Sequence, residues 1–498
     1  MNAHDAELRR RTIQSLFWQL LGVGGQRVIQ LIAPMVLARQ IAPVDVGLFV
    51  LVLTGIGVVE SLTLFMGEQT TISSQRQPDR NYLDTVFTVR ILRSLVICAV
   101  LCALAWPLGW FFGNEERAAR YWMPGLFLAL AGNGVLDSLQ SPARAMQMKG
   151  MHFRRIALGD FVATLLGVSL TTALALAWHD VWAMLVGHLG STLIRSLVSY
   201  CTAPHMPRWC LERSALKELL HYNRGAAGAP FLLLLVFTSP ALVLGKVLDN
   251  GAALAIFDFA GRLAKLPEDI FLRVLAPVAI PAYAQLRGDT NRLGRAWLQA
   301  VHAFLLVGTP LTVALAWSGD EMPMLFFGAN YGSLHGLFAL QSLHGGLAGL
   351  TAVVGPLFWA IGEPQWDRRA QFFRCIACYG VGIPAAIWGG AQGFAAATCV
   401  AVGIGLALSL RYALRYLGLR FGDLTRAARD GLLVGCGLLA PLLLIDALWA
   451  PTGMPRLLSA GVLCGPAIAY LALMQLRSSR PRQAVAMEQP TGLEDPPL

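Results

Sequence analysis

Some fourteen stretches of about twenty apolar residues, separated by loops too short to fold alone, constrain this 498-residue chain more than any other feature. The hydrocarbon core of a bilayer is roughly 30 Å thick and takes about 20 helical residues to cross. Inside it a single segment satisfies its own backbone polar groups only as a helix. The runs fall near 13–38, 46–66, 91–112, 121–140, 156–178, 181–203, 228–248, 252–284, 297–317, 333–361, 372–389, 392–410, 430–449 and 456–476. The eighth is long, charged and interrupted by Pro267, so a count of twelve or thirteen stays open. Charged residues make up 14% of the chain, against about 25% in a soluble domain. A soluble enzyme of this length is excluded, and the expectation is an all-α polytopic membrane protein.

Thirty-nine Lys and Arg stand against 29 Asp and Glu, a formal charge of +10. A nucleic-acid binder gathers such an excess with aromatics on a soluble face, but here the cations punctuate apolar runs, so no nucleic-acid partner is expected. With the N-terminus placed in the cytoplasm, about 28 of the 39 fall on cytoplasmic connections, among them Arg9–Arg11, Arg90, Arg93, Arg144 and Arg287. The opposite loops keep Arg39, Arg117, Arg120 and Arg456, with acids such as Glu115, Asp180, Asp320 and Glu321. That bias follows the positive-inside rule and predicts an even helix count with both termini cytoplasmic, in a bacterial inner membrane. The first run is too long for a signal peptide and reads as a retained helix. Cys98, Cys102, Cys399, Cys436 and Cys464 sit in apolar runs as small hydrophobes, and one Cys375-Ile-Ala-Cys378 without a partner pair reads as packing.

Leu37-Ala-Arg39 through Gly47-Leu-Phe49 can be laid over Leu244-Gly-Lys246 through Ala255-Ile-Phe257 at an offset of about 207, which pairs Arg39 with Lys246 and Glu60 with Glu268. This predicts two pseudo-symmetric six-helix lobes, 12–226 and 227–415, then an accessory pair of helices over 416–476. Tails at 1–11 and 477–498 flank them, the second rich in Pro and polar residues and expected to be disordered.

A charge within a span costs about 2.5–3.5 kcal/mol unless it meets a partner or water. On the eighth run Asp258, Arg262, Lys265, Asp269 and Arg273 share one helical face, with Glu268 beside them. Local pairs such as Asp258 with Arg262 are one account of that face. The other is a wet cavity of net positive charge that holds an anion. The first helix adds Arg27 among Gln19, Gln26 and Gln30, with Glu60 or Asp137 as its counter-charge. Arg195, Asp160 and Arg374 are expected to snorkel toward the near interface, and Lys246 toward the far one. No catalytic constellation such as HExxH, GxSxG or a Walker A loop is present.

The loop Pro142-Ala-Arg144-Ala-Met-Gln147 through Phe153-Arg154-Arg155 is similar to an A-x-x-Q-x-x-x-x-F-x-R element. Ala255-Ile-Phe257 through Arg262-Leu263-Ala-Lys265-Leu266-Pro267 is similar to G-x-Y-x-x-A-x-[RK]-L-x-x-L-P, departing from it at Ala255 and Phe257. Phe326-Phe327-Gly328 and Ala360-Ile-Gly362 fit as well. With these motifs, over roughly 12–415, the chain resembles the Wzx-type polysaccharide flippases of the multidrug/oligosaccharidyl-lipid/polysaccharide (MOP) exporter superfamily. In length and character it is also similar to those that serve xanthan-type exopolysaccharide assembly.

The resemblance implies a V-shaped, MATE-like pair of lobes, with fourteen helices in all. It implies a transporter, not an enzyme, that turns an undecaprenyl-pyrophosphate-linked oligosaccharide from the inner to the outer leaflet by alternating access. A polysaccharide polymerase and co-polymerase are further partners it suggests, and no cofactor is implied beyond the membrane potential, H⁺ or Na⁺ as driving force. On this reading Arg27, Arg262, Lys265 and Arg273 face the pyrophosphate, while Glu60, Asp137, Asp258 and Asp269 act as gating or ion-pair partners. A cation-coupled multidrug exporter of the same superfamily, which needs an acidic cavity, is the nearest alternative. A membrane polymerase or glycosyltransferase, which needs a sizeable outer loop, is the next.

Overall fold

The computed structural model describes residues 25–26, 29–62, 67, 70–71, 79–113, 121–149, 153–226, 235, 240–248, 250–269, 279, 283, 286–332, 334, 336–449 and 453–478. Apart from a short 3₁₀ turn and connecting loops, these residues are α-helical. After a helix at 29–40 come α1 (Pro43–Leu62), α2 (Arg80–Phe112), α3 (Met123–Ala131), α4 (Asn133–Ser138), α5 (Arg144–Lys149), α6 (Phe153–Trp178), α7 (Val181–Thr202) and α8 (Arg213–Ala226). Then follow α9 (Pro240–Val247), α10 (Gly251–Ala264), α11 (Thr290–Ser318), α12 (Glu321–Phe327), α13 (Leu337–Ile361), α14 (Pro364–Leu417), α15 (Phe421–Trp449) and α16 (Met454–Ser478).

Eight of the described helices are long and apolar enough to cross a membrane. One of them, α14, is two helices end to end, because Gly390 breaks it with φ 61° and ψ −147°. That break falls between the runs at 372–389 and 392–410. The order of helices is consistent with fourteen crossings, with parts of the first, seventh and eighth runs outside the described residues. Local chemistry sets several helix starts: Asp79, Asp180, Asn250 and Asp289 each accept a bond from a backbone N–H two or three residues on. Such caps satisfy amide groups that a helix cannot pair internally. Pro107, Pro310, Pro356, Pro384, Pro441 and Pro466 lie inside helices, a placement that neighbouring helices make tolerable in membranes.

Followed along the chain, alternate helix ends gather on two sides, one rich in arginine and one poor in it. The largest apolar core lies at the arginine-poor end and draws on both halves. It contains Leu37, Val46, Leu51, Leu101 and Phe127 from the first, and Leu244, Leu254, Phe259, Phe327, Phe338 and Phe394 from the second. A second core, around Trp297, Phe304, Leu357, Phe358 and Leu406, fills the arginine-rich end of the second half. Close helix approaches rely on glycine, as is common where lipid offers no hydrophobic drive. A Cβ on Gly47 of α1 would stand 1.9 Å from the carbonyl oxygen of Gly251 in α10, and one on Gly345 of α13 would stand 2.1 Å from that of Ala264. Outward faces show Leu, Val and Ile. Trp106, Trp110, Trp388 and Trp449, all exposed, lie near the arginine-poor end, in keeping with an interfacial aromatic belt.

Candidate functional site

The arginine-rich end of the first half holds a cavity of about 800 Å³. Its walls come from α1, α2, α4, α5, α6 and α7, with Gln26 and Gln30 of the first run. Among the described residues seven charged side chains line it, Arg90, Arg93, Arg144 and Arg195 against Glu60, Asp137 and Asp160, which gives those residues a formal excess of one positive charge. Two of the four arginines arrive because α2 begins at Arg80, well before the apolar run at 91, so Arg90 and Arg93 ride on the helix and not on a loop.

The cations differ in how they are held. Arg90 donates to Asp137 twice through Nη2, to the carboxylate at 3.0 Å and to the main-chain carbonyl at 2.8 Å. Arg93 donates to the carbonyl of Glu60 at 2.8 Å. Arg144 grips both oxygens of Asp160, at 2.5 and 2.7 Å, a fork geometry that adds direction as well as energy. Through this pair the motif loop 142–155 ties α5 to α6, and Gln147 ties it to the carbonyl of Thr202 in α7. Arg195 lines the cavity with no described acid within ion-pair distance. On the acidic side, Glu60 Oε1 is buried without a described hydrogen-bond partner and sits so close to Gly134 that a Cβ there would come within 2.8 Å of it. Ser94 donates to Ser138 at 2.9 Å on the same wall.

Of the residues singled out in the sequence, Glu60 and Asp137 therefore meet in this cavity, each held by an arginine from α2. Arg27 and Arg273 lie outside the described residues. Asp258 and Arg262 form the local pair, Nε to Oδ2 at 2.7 Å, with the guanidinium 5.3 Å from the Phe259 ring centre. Lys265 caps the end of α10 half-buried, Asp269 is half-buried a turn later, and none of these four lines the cavity. Arg195 and Asp160 both line the cavity, Asp160 in the grip of Arg144 and Arg195 exposed. Arg374 is 3% exposed, placed where the carboxyl groups of Glu268 and Asp367 act on it. A helix deep in a bundle offers a long cation an acid nearer than the interface, and the acid wins.

Fold and site together define a polytopic helical membrane protein with a charged internal chamber. The model of the polysaccharide biosynthesis protein family matches residues 36–335, and the chain belongs to that family. It is 23% identical over 349 residues to the succinoglycan biosynthesis transport protein ExoT of Rhizobium meliloti (strain 1021), covering 70% of this chain and 68% of that one. It is 21% identical over 385 residues to the lipopolysaccharide biosynthesis protein WzxC of Escherichia coli (strain K12), covering 77% and 76%. Among solved structures, the lipid II flippase MurJ in an inward closed conformation superposes with a TM-score of 0.71 at 14% identity, covering 92% of this chain and 99% of that one. An inward-facing multidrug resistance MATE family transporter of the MOP superfamily gives 0.57 at 15%, covering 80% and 94%. The fold is thus that of the MOP exporters.

Proposed function

We propose that this protein is a flippase, not an enzyme, and that it moves a lipid-linked oligosaccharide from the inner to the outer leaflet of the bacterial inner membrane. The observation that carries the reading is the arginine-lined cavity within an otherwise apolar helical wall. A pyrophosphate crossing hydrocarbon needs fixed cations and water, and four arginines surround this space. About 800 Å³ falls in the range of a drug-sized site. It suits a pyrophosphate with its first sugar, while the polyprenyl tail stays in lipid. Arg195, without an acidic partner among the described residues, is the natural first contact. Arg90 and Arg93 become available as Asp137 and the Glu60 carbonyl release them.

Placing the arginine-rich end in the cytoplasm, as the loop charges favour, opens the cavity to the leaflet where such lipids are made. Lobes at 12–226 and 227–415 then alternate around it. Moving about two negative charges toward the positive outside gains roughly 4–5 kcal/mol per 100 mV, so the membrane potential supplies a driving force even without H⁺ or Na⁺. Relatives named for succinoglycan transport and lipopolysaccharide biosynthesis support cargo of this class. A multidrug exporter for organic cations is disfavoured by the positive excess in the cavity.

The test is complementation in a strain whose polymer export depends on this protein. Arg195→Ala and Arg90→Ala are expected to cut export at least tenfold at normal protein level and to leave lipid-linked oligosaccharide in the inner leaflet. Wild-type export from both would remove the site. The same assay on Arg262→Ala and Arg273→Ala decides whether the eighth run contributes to it.

A further inference from the structure

Two cations outside the cavity cross between the halves at the arginine-poor end. Arg39, next to the last residue of the helix at 29–40, donates through Nη2 to the carbonyl of Leu325 at 2.8 Å, 286 positions along the chain. Lys246, in the last turn of α9, donates to the carbonyl of Phe111 and lies 4.7 Å from the centre of its ring. These are the two residues that the 207-residue offset pairs. Both stand exposed at this end, and each also bonds a carbonyl of the other half.

The acceptors match as well. Phe111 and Leu325 lie in the final turns of α2 and α12, where a helix's last carbonyls lack internal partners and carry the negative end of its dipole. Both ends are written alike, Phe111-Phe112-Gly113-Asn114 and Phe326-Phe327-Gly328-Ala329-Asn330, with Leu325 one residue ahead of that match. The first half's cation therefore caps a helix of the second half, and the second half's equivalent cation caps a helix of the first. Such reciprocity is what an approximate two-fold axis between parallel repeats produces. Near these contacts α1 and α10 meet backbone to backbone at Gly47 and Gly251.

We infer that Arg39 and Lys246 form a reciprocal latch that holds the arginine-poor side of the molecule shut, each by capping a helix end in the opposite half. The chemistry suits a closure that must reopen. Both acceptors are neutral carbonyls and both cations are exposed to solvent, so water can replace either bond at little cost, whereas a buried ion pair would weld the halves together. The Gly47–Gly251 crossing supplies close packing without side chains to disentangle.

Hydrogen–deuterium exchange on the full chain in lipid nanodiscs tests this for the wild type, Arg39→Met, Lys246→Met, the double variant and Arg39→Lys. Peptides from 43–56 and 251–264 are expected to exchange about tenfold faster in the double variant, by intermediate amounts in the single ones and at the wild-type rate in Arg39→Lys. Peptides from 353–361, in the separate core of the second half, should not change. Unchanged exchange at both helix starts in the double variant would overturn the latch. Faster exchange that also reached 353–361 would overturn it too, by showing general loosening. No cargo is present in this measurement, so its failure is separate from a failure of the transport reading, which the export assay judges.

Discussion

The arginine-rich ends of the two halves each bury an acid but surround it differently. In the first, Glu60 borders an 800 Å³ cavity with six other charged side chains. In the second, its counterpart Glu268 is 8% exposed, its backbone lying against Gly349 of α13, while Trp297, Phe304 and Phe358 fill the neighbourhood. Buried charge is present in both. What separates them, among the described residues, is what stands near the acid: large aromatic rings in the second half, and a cavity lined by polar and charged side chains in the first.

Removing a buried charge from the second half should do the most damage. Arg374→Ala strips a buried cation from beside Glu268 and Asp367, and breaking such a pairing typically costs about 3–5 kcal/mol. The expected result is a large fall in protein level in the membrane, read by immunoblot. Overpacking comes next: Gly345→Leu must push α13 away from the Ala264 carbonyl, at a cost of about 1–3 kcal/mol, seen as a lower thermal midpoint in detergent. The cavity wall should behave in the opposite way. Arg195→Ala should leave the thermal midpoint within the effect of a surface change, about 0.5 kcal/mol, while export falls. If it unfolds the protein instead, the contrast between the halves is lost. Smallest of all is Arg426→Ala, which breaks an exposed 3.5 Å pair with Asp423; it should move neither stability nor export measurably.

Much of the fold could be read from the residues themselves. The apolar runs located the long described helices, though not the amphipathic α8 between two of them, and the gap between 389 and 392 marked the break at Gly390. Run edges were less faithful: α2 starts eleven residues ahead of its run, because backbone hydrogen bonding carries a helix into the headgroup region where hydropathy no longer registers it. The site was legible only in pieces. Glu60 and Asp137 stood out as charges within spans, but Arg90, Arg93 and Arg144 looked like loop cations, and Arg195 and Asp160 looked interfacial. A clue lay in the charge spacing at the start of α2, where Arg90 and Arg93 stand one helical turn apart and share a face.

Hydropathy and charge distribution act along the chain, one segment at a time, and by themselves they determined that this protein crosses a bilayer as helices with a strong charge bias between its two ends. Which charges share water is a different kind of question. Glu60, Arg90, Asp137 and Arg195 come from four separate helices, and the energy of each depends on what the other three helices place beside it. Only the tertiary packing, by bringing these four side chains to the wall of one cavity, decided that.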